Sequence, residues 1–201
     1  MIKICGISDI KTAEVAINAG ATAIGFVFAT SPRQVTPEQA GGIAREIPRH
    51  IERIGVFRHT DLDDLEKILR LVDLTAIQVH RAEELPLTLH GREVIPGVRV
   101  EFAGDYQHGR VLVDSPLGEG SGVAWSFEDV RRFAKGKRVI LAGGLTPDNV
   151  ADAVRRARPH GVDVSSGVES DRGVKDHGLV RAFVQAAKEA LGKCAGIGAA
   201  K

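Results

Sequence analysis

Two side chains able to move protons stand where short apolar runs end. Cys5 closes Ile2-Lys3-Ile4-Cys5, and Asp114 closes Val111-Leu112-Val113-Asp114. A thiol acts as a base only as thiolate, which needs nearby positive charge or a helix N-terminus. A carboxyl can give or take a proton according to its surroundings. The plainer alternatives are a small buried hydrophobe for Cys5 and a loop cap for Asp114. Gly6 leaves the thiol sterically open, and the Gly-rich stretch Ser115–Gly122 after Asp114, with its Gly120-Ser121-Gly122 core, is either a loop able to close over a ligand or simply a floppy loop.

Two further loops are suited to an anion. Gly143-Gly144 and Ser165-Ser166-Gly167 each follow an apolar run, and glycines let backbone N–H groups approach a phosphate closely. Turns needing positive φ explain either loop alone, but explain both together less well. Arg33, in Ser31-Pro32-Arg33, offers a planar fork for a carboxylate or is simply solvated. His80 is a proton-transfer group or a wall. No His, Cys or Asp spacing fits a metal ligand set, so no metal is expected.

These residues need a frame that brings strand ends together. Short apolar runs alternate with helical patterns: strands are expected at Ile2–Cys5, Ala23–Phe28, Arg53–Phe57, Thr75–Val79, Glu93–Val98, Arg110–Asp114, Arg138–Ala142 and Val162–Val164. Between them, helices are expected at Asp9–Ala19 (stopped by Gly20), from Thr36-Pro37, from Asp61 to about Leu71 and briefly from Ala82. Others are expected from Ser126, from Thr146-Pro147 to Arg158-Pro159, and from Asp176 to Leu191. The 99–109 segment is too short and Gly-rich for a full fifth helix. Eight such units form a parallel sheet that closes naturally into a compact (β/α)8 TIM barrel, with a doubly wound open sheet as the alternative. Barrel active sites lie at the C-terminal ends of the strands, the position of each residue singled out above. A single domain is expected over 1–192, with a flexible, Gly/Ala-rich tail at 193–201 holding an inert Cys194.

The 201-residue chain is 43% apolar and 26% charged with net charge +1. That balance is ordinary for a globular protein and sets up no global field for nucleic acid or a membrane surface. Only seven Phe, one Trp and one Tyr are present, too few for base-stacking platforms. Two cysteines, no leader-like start and no long apolar run suit a reducing cytoplasm.

Several segments together are similar to the phosphoribosylanthranilate isomerase family of tryptophan biosynthesis. Lys3-Ile4-Cys5-Gly6-Ile7 resembles its opening signature; Gly25-Phe26-Val27-Phe28 with Ser31-Pro32-Arg33, and Gly55-Val56-Phe57, resemble its second and third strands. Gln78-Val79-His80, Leu141–Val150, Asp163–Glu169 and Lys175-Asp176 continue the match in order through nearly the whole chain. Three places depart from the pattern: Arg81 where glycine is usual, the short 99–109 segment, and Val123-Ala124-Trp125-Ser126 after the sixth strand.

The resemblance implies an Amadori rearrangement of N-(5-phosphoribosyl)anthranilate to 1-(2-carboxyphenylamino)-1-deoxyribulose 5-phosphate. It further implies Cys5 as general base, Asp114 as general acid (with a pKa raised in the complex), Arg33 on the anthranilate carboxylate, and Gln78 and His80 as substrate wall. Gly143, Gly144, Ser165, Ser166 and Gly167 would hold the phosphate, Gly120, Ser121 and Gly122 would close the loop, and no cofactor is needed. The expected partner is a small phosphosugar, for a monomer or homodimer. A related aminoaldose isomerase, or a barrel that binds phosphate without turnover, are the competing functions.

Overall fold

A computed structural model describes residues 1–58, 62–80, 86–99, 103, 106–114, 126–134 and 136–198. Eight parallel strands form the frame: β1 (Ile2–Cys5), β2 (Ala23–Val27), β3 (Glu52–Phe57), β4 (Ala76–His80), β6 (Arg92–Arg99), β7 (Arg110–Asp114), β8 (Arg138–Leu141) and β9 (Gly161–Val164). Their order is β4-β3-β2-β1-β9-β8-β7-β6, and a β4–β6 pairing closes the ring, so the sheet is a barrel and not an open wound sheet. Around it lie α1 (Ile10–Ala19), α2 (Pro37–Glu46), α3 (Leu62–Leu71), α4 (Phe127–Phe133), α5 (Val150–Ala157) and α6 (His177–Gly198).

Local chemistry starts three of these helices where the sequence says. Asp9 caps α1 by accepting from the Thr12 N–H at 2.8 Å, and Gly20 ends it at φ +112°. Thr36 and Gln39 exchange hydrogen bonds in a capping box at α2 with Pro37 at its first position. Ser126 caps α4 through the Asp129 N–H.

Because successive strand residues face opposite sides, the barrel has two cores. One lies between strands and helices and includes Ile4, Phe26, Val139 and Phe183. The other fills the interior with Ala23, Ile54, Ala76, Ile95, Leu112 and Ile140. At the N-terminal end the interior is closed by charge. Arg110 donates to Glu52 at 2.7–2.8 Å and to Glu93 at 2.8–3.0 Å, with its guanidinium also on the Met1 sulfur.

Two expectations change, and two more fall wholly or partly outside the described residues. Helix α5 starts at Val150, not at Thr146-Pro147, because the Asn149 side chain turns back to accept the Thr146 N–H at 2.8 Å and makes residues 146–149 a turn. The helix expected from Ala82 falls on 81–85, outside the described residues; beyond them β5 (Thr88–Leu89) pairs antiparallel with β6. Between β6 and β7 the described residues, 103 and 106–109, are not helical, and the rest of that segment lies outside the described residues. The tail expected from Lys193 is instead the end of α6, which continues to Gly198. Cys194 lies on it against α5, its sulfur 3.9 Å from the Val154 carbonyl.

Candidate active site

Parallel strands put all eight C-terminal ends at one mouth. Cys5 is the last residue of β1 and Asp114 the last of β7. Leu112 belongs to the interior cluster, so Asp114, two residues on, projects from the same face. Cys5 is 7% exposed and packs with Val27 and Val56 on the interior side. A Cβ built on Gly25, its register partner in β2, would stand 3.0 Å from the Cys5 sulfur and 3.1 Å from Lys3 Cε. Glycine at 25 therefore makes room for both side chains of β1.

The polar groups around Cys5 form one connected network. Lys3, fully buried, places its Nζ 3.0 Å from both carboxylate oxygens of Asp163 on β9. The Ser165 hydroxyl donates to the Cys5 carbonyl at 3.3 Å. Lys175 donates to the Ser165 carbonyl at 3.0 Å and to Glu169 at 2.6 Å. Burial pushes the Cys5 thiol up, against the pull of the Lys3 and Lys175 ammonium groups. For Lys3, burial acts downward, but the Asp163 carboxylate and the Cys5 sulfur together outweigh it and favour the ammonium, while burial pushes the Asp163 carboxyl up against the pull of Lys3.

Arg33 is bound in this network rather than standing alone. Its Nε donates to Glu169 Oε1 at 2.6 Å and its Nη2 to Oε2 at 2.9 Å, so the bidentate edge expected to clamp a carboxylate already lies on Glu169. The Arg33 stem crosses Gly6, where a Cβ would approach Arg33 Cδ to 2.9 Å and where φ is +77°. From the other side, the hairpin β10 (Glu169–Asp171) and β11 (Val174–Lys175) holds the loop, with Gly173 at φ +90° against the Pro32 carbonyl.

The two anion loops meet. Gly143 and Gly144 have φ of +81° and +63°, and no described residue accepts from their N–H groups. Ser166 and Gly167 lie in a short 3-10 turn (Ser166–Val168), and a Cβ on Gly167 would collide with the Leu145 carbonyl. This close approach sets both loops side by side, with open space over Gly144. Ser165 stands apart from them, its hydroxyl committed to the Cys5 carbonyl.

On the opposite wall, Gln78 Nε2 is 2.8 Å from His80 Nε2, and the His80 ring covers Gly97. Gln78 is 2% exposed, and its Oε1 has no hydrogen-bond partner among the described residues. Arg81 and the loop-closure residues Gly120, Ser121 and Gly122 lie outside the described residues. Among the described residues, no group of three His, Cys, Asp or Glu side chains is placed to hold a metal ion, and no helix is long and apolar enough to cross a membrane. Asp163, Glu169 and Lys175 received no role from the sequence. Their only signal there was membership of the last two motifs, because their partners lie up to 160 residues away in the chain.

The closed ring of eight parallel strands, with a thiol and a carboxyl at their C-terminal ends, is a (β/α)8 barrel with titratable groups where barrel enzymes carry their active sites. A profile of the family described as N-(5'phosphoribosyl)anthranilate (PRA) isomerase matches residues 2–186, and the chain belongs to that family. The N-(5'-phosphoribosyl)anthranilate isomerase of Pelobacter propionicus is 42% identical over 200 residues, covering 94% of this chain and 95% of the relative. That of Pseudomonas fluorescens is 42% identical over 205 residues, covering 92% and 97%. Among solved structures, phosphoribosyl anthranilate isomerase from Thermotoga maritima superposes with a TM-score of 0.84 at 34% identity, covering 94% of this chain and 98% of that one. A second isomerase structure, in complex with reduced 1-(o-carboxyphenylamino)-1-deoxyribulose 5-phosphate, gives 0.81 at 33% identity with the same coverage.

Proposed function

We propose that this barrel carries out the Amadori rearrangement of N-(5'-phosphoribosyl)anthranilate with Cys5 as general base and Asp114 as general acid. Asp114 gives its proton to the furanose ring oxygen; the C1–O bond breaks and leaves a Schiff base between C1 and the anthranilate nitrogen. The Cys5 thiolate takes the proton from C2, and the enolamine formed tautomerises to the aminoketone product. An acid and a base acting on different atoms of one sugar must face it from different sides. Strands β1 and β7 are separated by β9 and β8 around the ring, which suits that need.

The anchors set the sugar between these groups. The N–H groups of Gly143, Gly144, Ser166 and Gly167 receive the phosphate, Arg33 meets the anthranilate carboxylate, and Gln78 and His80 wall the site. The reading requires no cofactor and suits a cytoplasmic enzyme whose ligand is a small phosphosugar. The observation that carries it is the shared interior face of Cys5 and Asp114 at one mouth, beside two glycine loops in contact.

The test is fluorescence-monitored conversion of phosphoribosylanthranilate by the wild type, Cys5→Ser and Asp114→Asn. Each variant should lose about 10²–10⁴-fold in turnover, the range for a lost proton-transfer group. A wild-type rate in Asp114→Asn removes its role.

A further inference from the structure

The Lys3–Asp163 pair is the feature of the barrel that stability does not explain. Both residues face the interior, where the neighbouring layer is apolar: Ala23, Ile54, Ala76, Ile95, Leu112 and Ile140. An ion pair taken out of water loses hydration that mutual attraction at best balances, and apolar side chains of similar volume commonly serve as well or better. Lys3 is nonetheless fully buried, with its ammonium 3.0 Å from each Asp163 oxygen. It is also two residues from Cys5 on one face of β1, and the two side chains converge over Gly25.

We propose that Lys3 is a positioning residue of the reaction: its buried ammonium, anchored by Asp163, is the cation against which the Cys5 thiolate forms. The proposal rests on Cys5 being the base. A thiol enclosed among Val27 and Val56 gains little from water, so its negative charge must be met by protein. The charged groups facing it are Lys3 on β1, Asp163 on β9 and Lys175 on β11, with Glu169 and then Arg33 behind Lys175; β2 and β3 present Gly25, Val27 and Val56. Of these, Lys3 and Lys175 favour the thiolate and Asp163 opposes it. Asp163 therefore has two effects: it aims the Lys3 ammonium, whose charge the Cys5 sulfur also favours, and it limits how acidic the thiol becomes.

The two partners then have opposite signatures, which a merely structural pair would not. Alkylation of Cys5 by iodoacetamide, read by mass spectrometry on the Cys5 peptide so that Cys194 is counted separately, gives the pH midpoint of thiolate formation. In Lys3→Met the midpoint should rise and in Asp163→Asn it should fall, each by about one to three pH units, the effect of one close charge. The acid limb of kcat/KM should move the same way in each, with activity in Lys3→Met partly recovered at higher pH. Any other pattern overturns the proposal, including two unmoved midpoints or two that shift together as general loosening would make them. Should Lys3→Met fail to fold by circular dichroism, Asp163→Asn decides alone, and a midpoint that stays or rises is fatal. Alkylation reads the sulfur without turnover. A fully active Cys5→Ser enzyme would thus remove the base assignment while the response of the sulfur to Lys3 remained a separate result.

Discussion

The Arg33 guanidinium lies bidentate on the Glu169 carboxylate, at 2.6 and 2.9 Å, and so ties the loop after β2 to the hairpin after β9. Glu169 also accepts from Lys175 at 2.6 Å and from the Gly173 N–H at 3.0 Å. Glu169→Gln leaves two cations without their anion and frees the hairpin from the loop. A charged hydrogen bond is worth about 1.5–3 kcal/mol, so kcat/KM should fall roughly 10- to 100-fold. The role proposed for Arg33, holding the substrate carboxylate in ground and transition states alike, places most of the loss in KM by steady-state kinetics.

The same carboxylate makes the fold sensitive to acid. Burial acts to raise the Glu169 pKa, but hydrogen bonds from Arg33, Lys175 and the Gly173 N–H outweigh it and bring it from 4.5 to about 2. A depressed folded pKa stabilises the native state above the unfolded value and loses that contribution as pH falls through the folded one. Denaturant titrations should therefore show a gap between wild type and Glu169→Gln that is constant above about pH 5 and closes between pH 4.5 and 2. A gap that widens in acid would contradict the ion network.

Glycines in the two anion loops should respond differently to a methyl group. Gly167→Ala drives a Cβ into the Leu145 carbonyl, which is backbone and cannot swing aside. It should cost about 1–3 kcal/mol and abolish measurable binding of a phosphorylated product analogue by calorimetry. Gly144→Ala meets open space, and its burden is the φ of +63° alone, roughly 1–2 kcal/mol. That variant should fold and bind, with affinity reduced less than tenfold.

At the opposite end, Arg110→Met leaves Glu52 and Glu93 facing each other without a cation. Arg110 is partly exposed, so the loss should be about 1–3 kcal/mol, below the 3–5 kcal/mol of a fully buried broken pair. Thermal melts should show it, while kcat at 25 °C stays at the wild-type value.

What could be read from the chain was local chemistry. Asp9, Gly20, Thr36 and Ser126 act within a few residues of themselves, so their caps were legible. The alternation of apolar runs and helical patterns likewise led to the barrel, and the strand ends to Cys5 and Asp114. Thr146-Pro147 misled because a proline after threonine fits a helix start as well as a turn, and only the Asn149 side chain decides. The partnerships Lys3–Asp163 and Arg33–Glu169 span 160 and 136 residues, a separation that no periodicity encodes. Lysine in the middle of an apolar strand was the one visible sign of the first, and it becomes intelligible only when β9 lies beside β1.

Arg110 and its two glutamates lie at the far end of the axis from Cys5, with a layer of aliphatic side chains between. Substitutions at the upper rim can therefore proceed without loosening the floor, and substitutions that tighten the floor leave the surroundings of Cys5 unchanged. Robustness and innovation occupy different heights of one small cylinder, which makes this chain a convenient starting point for directed evolution toward other sugar phosphates.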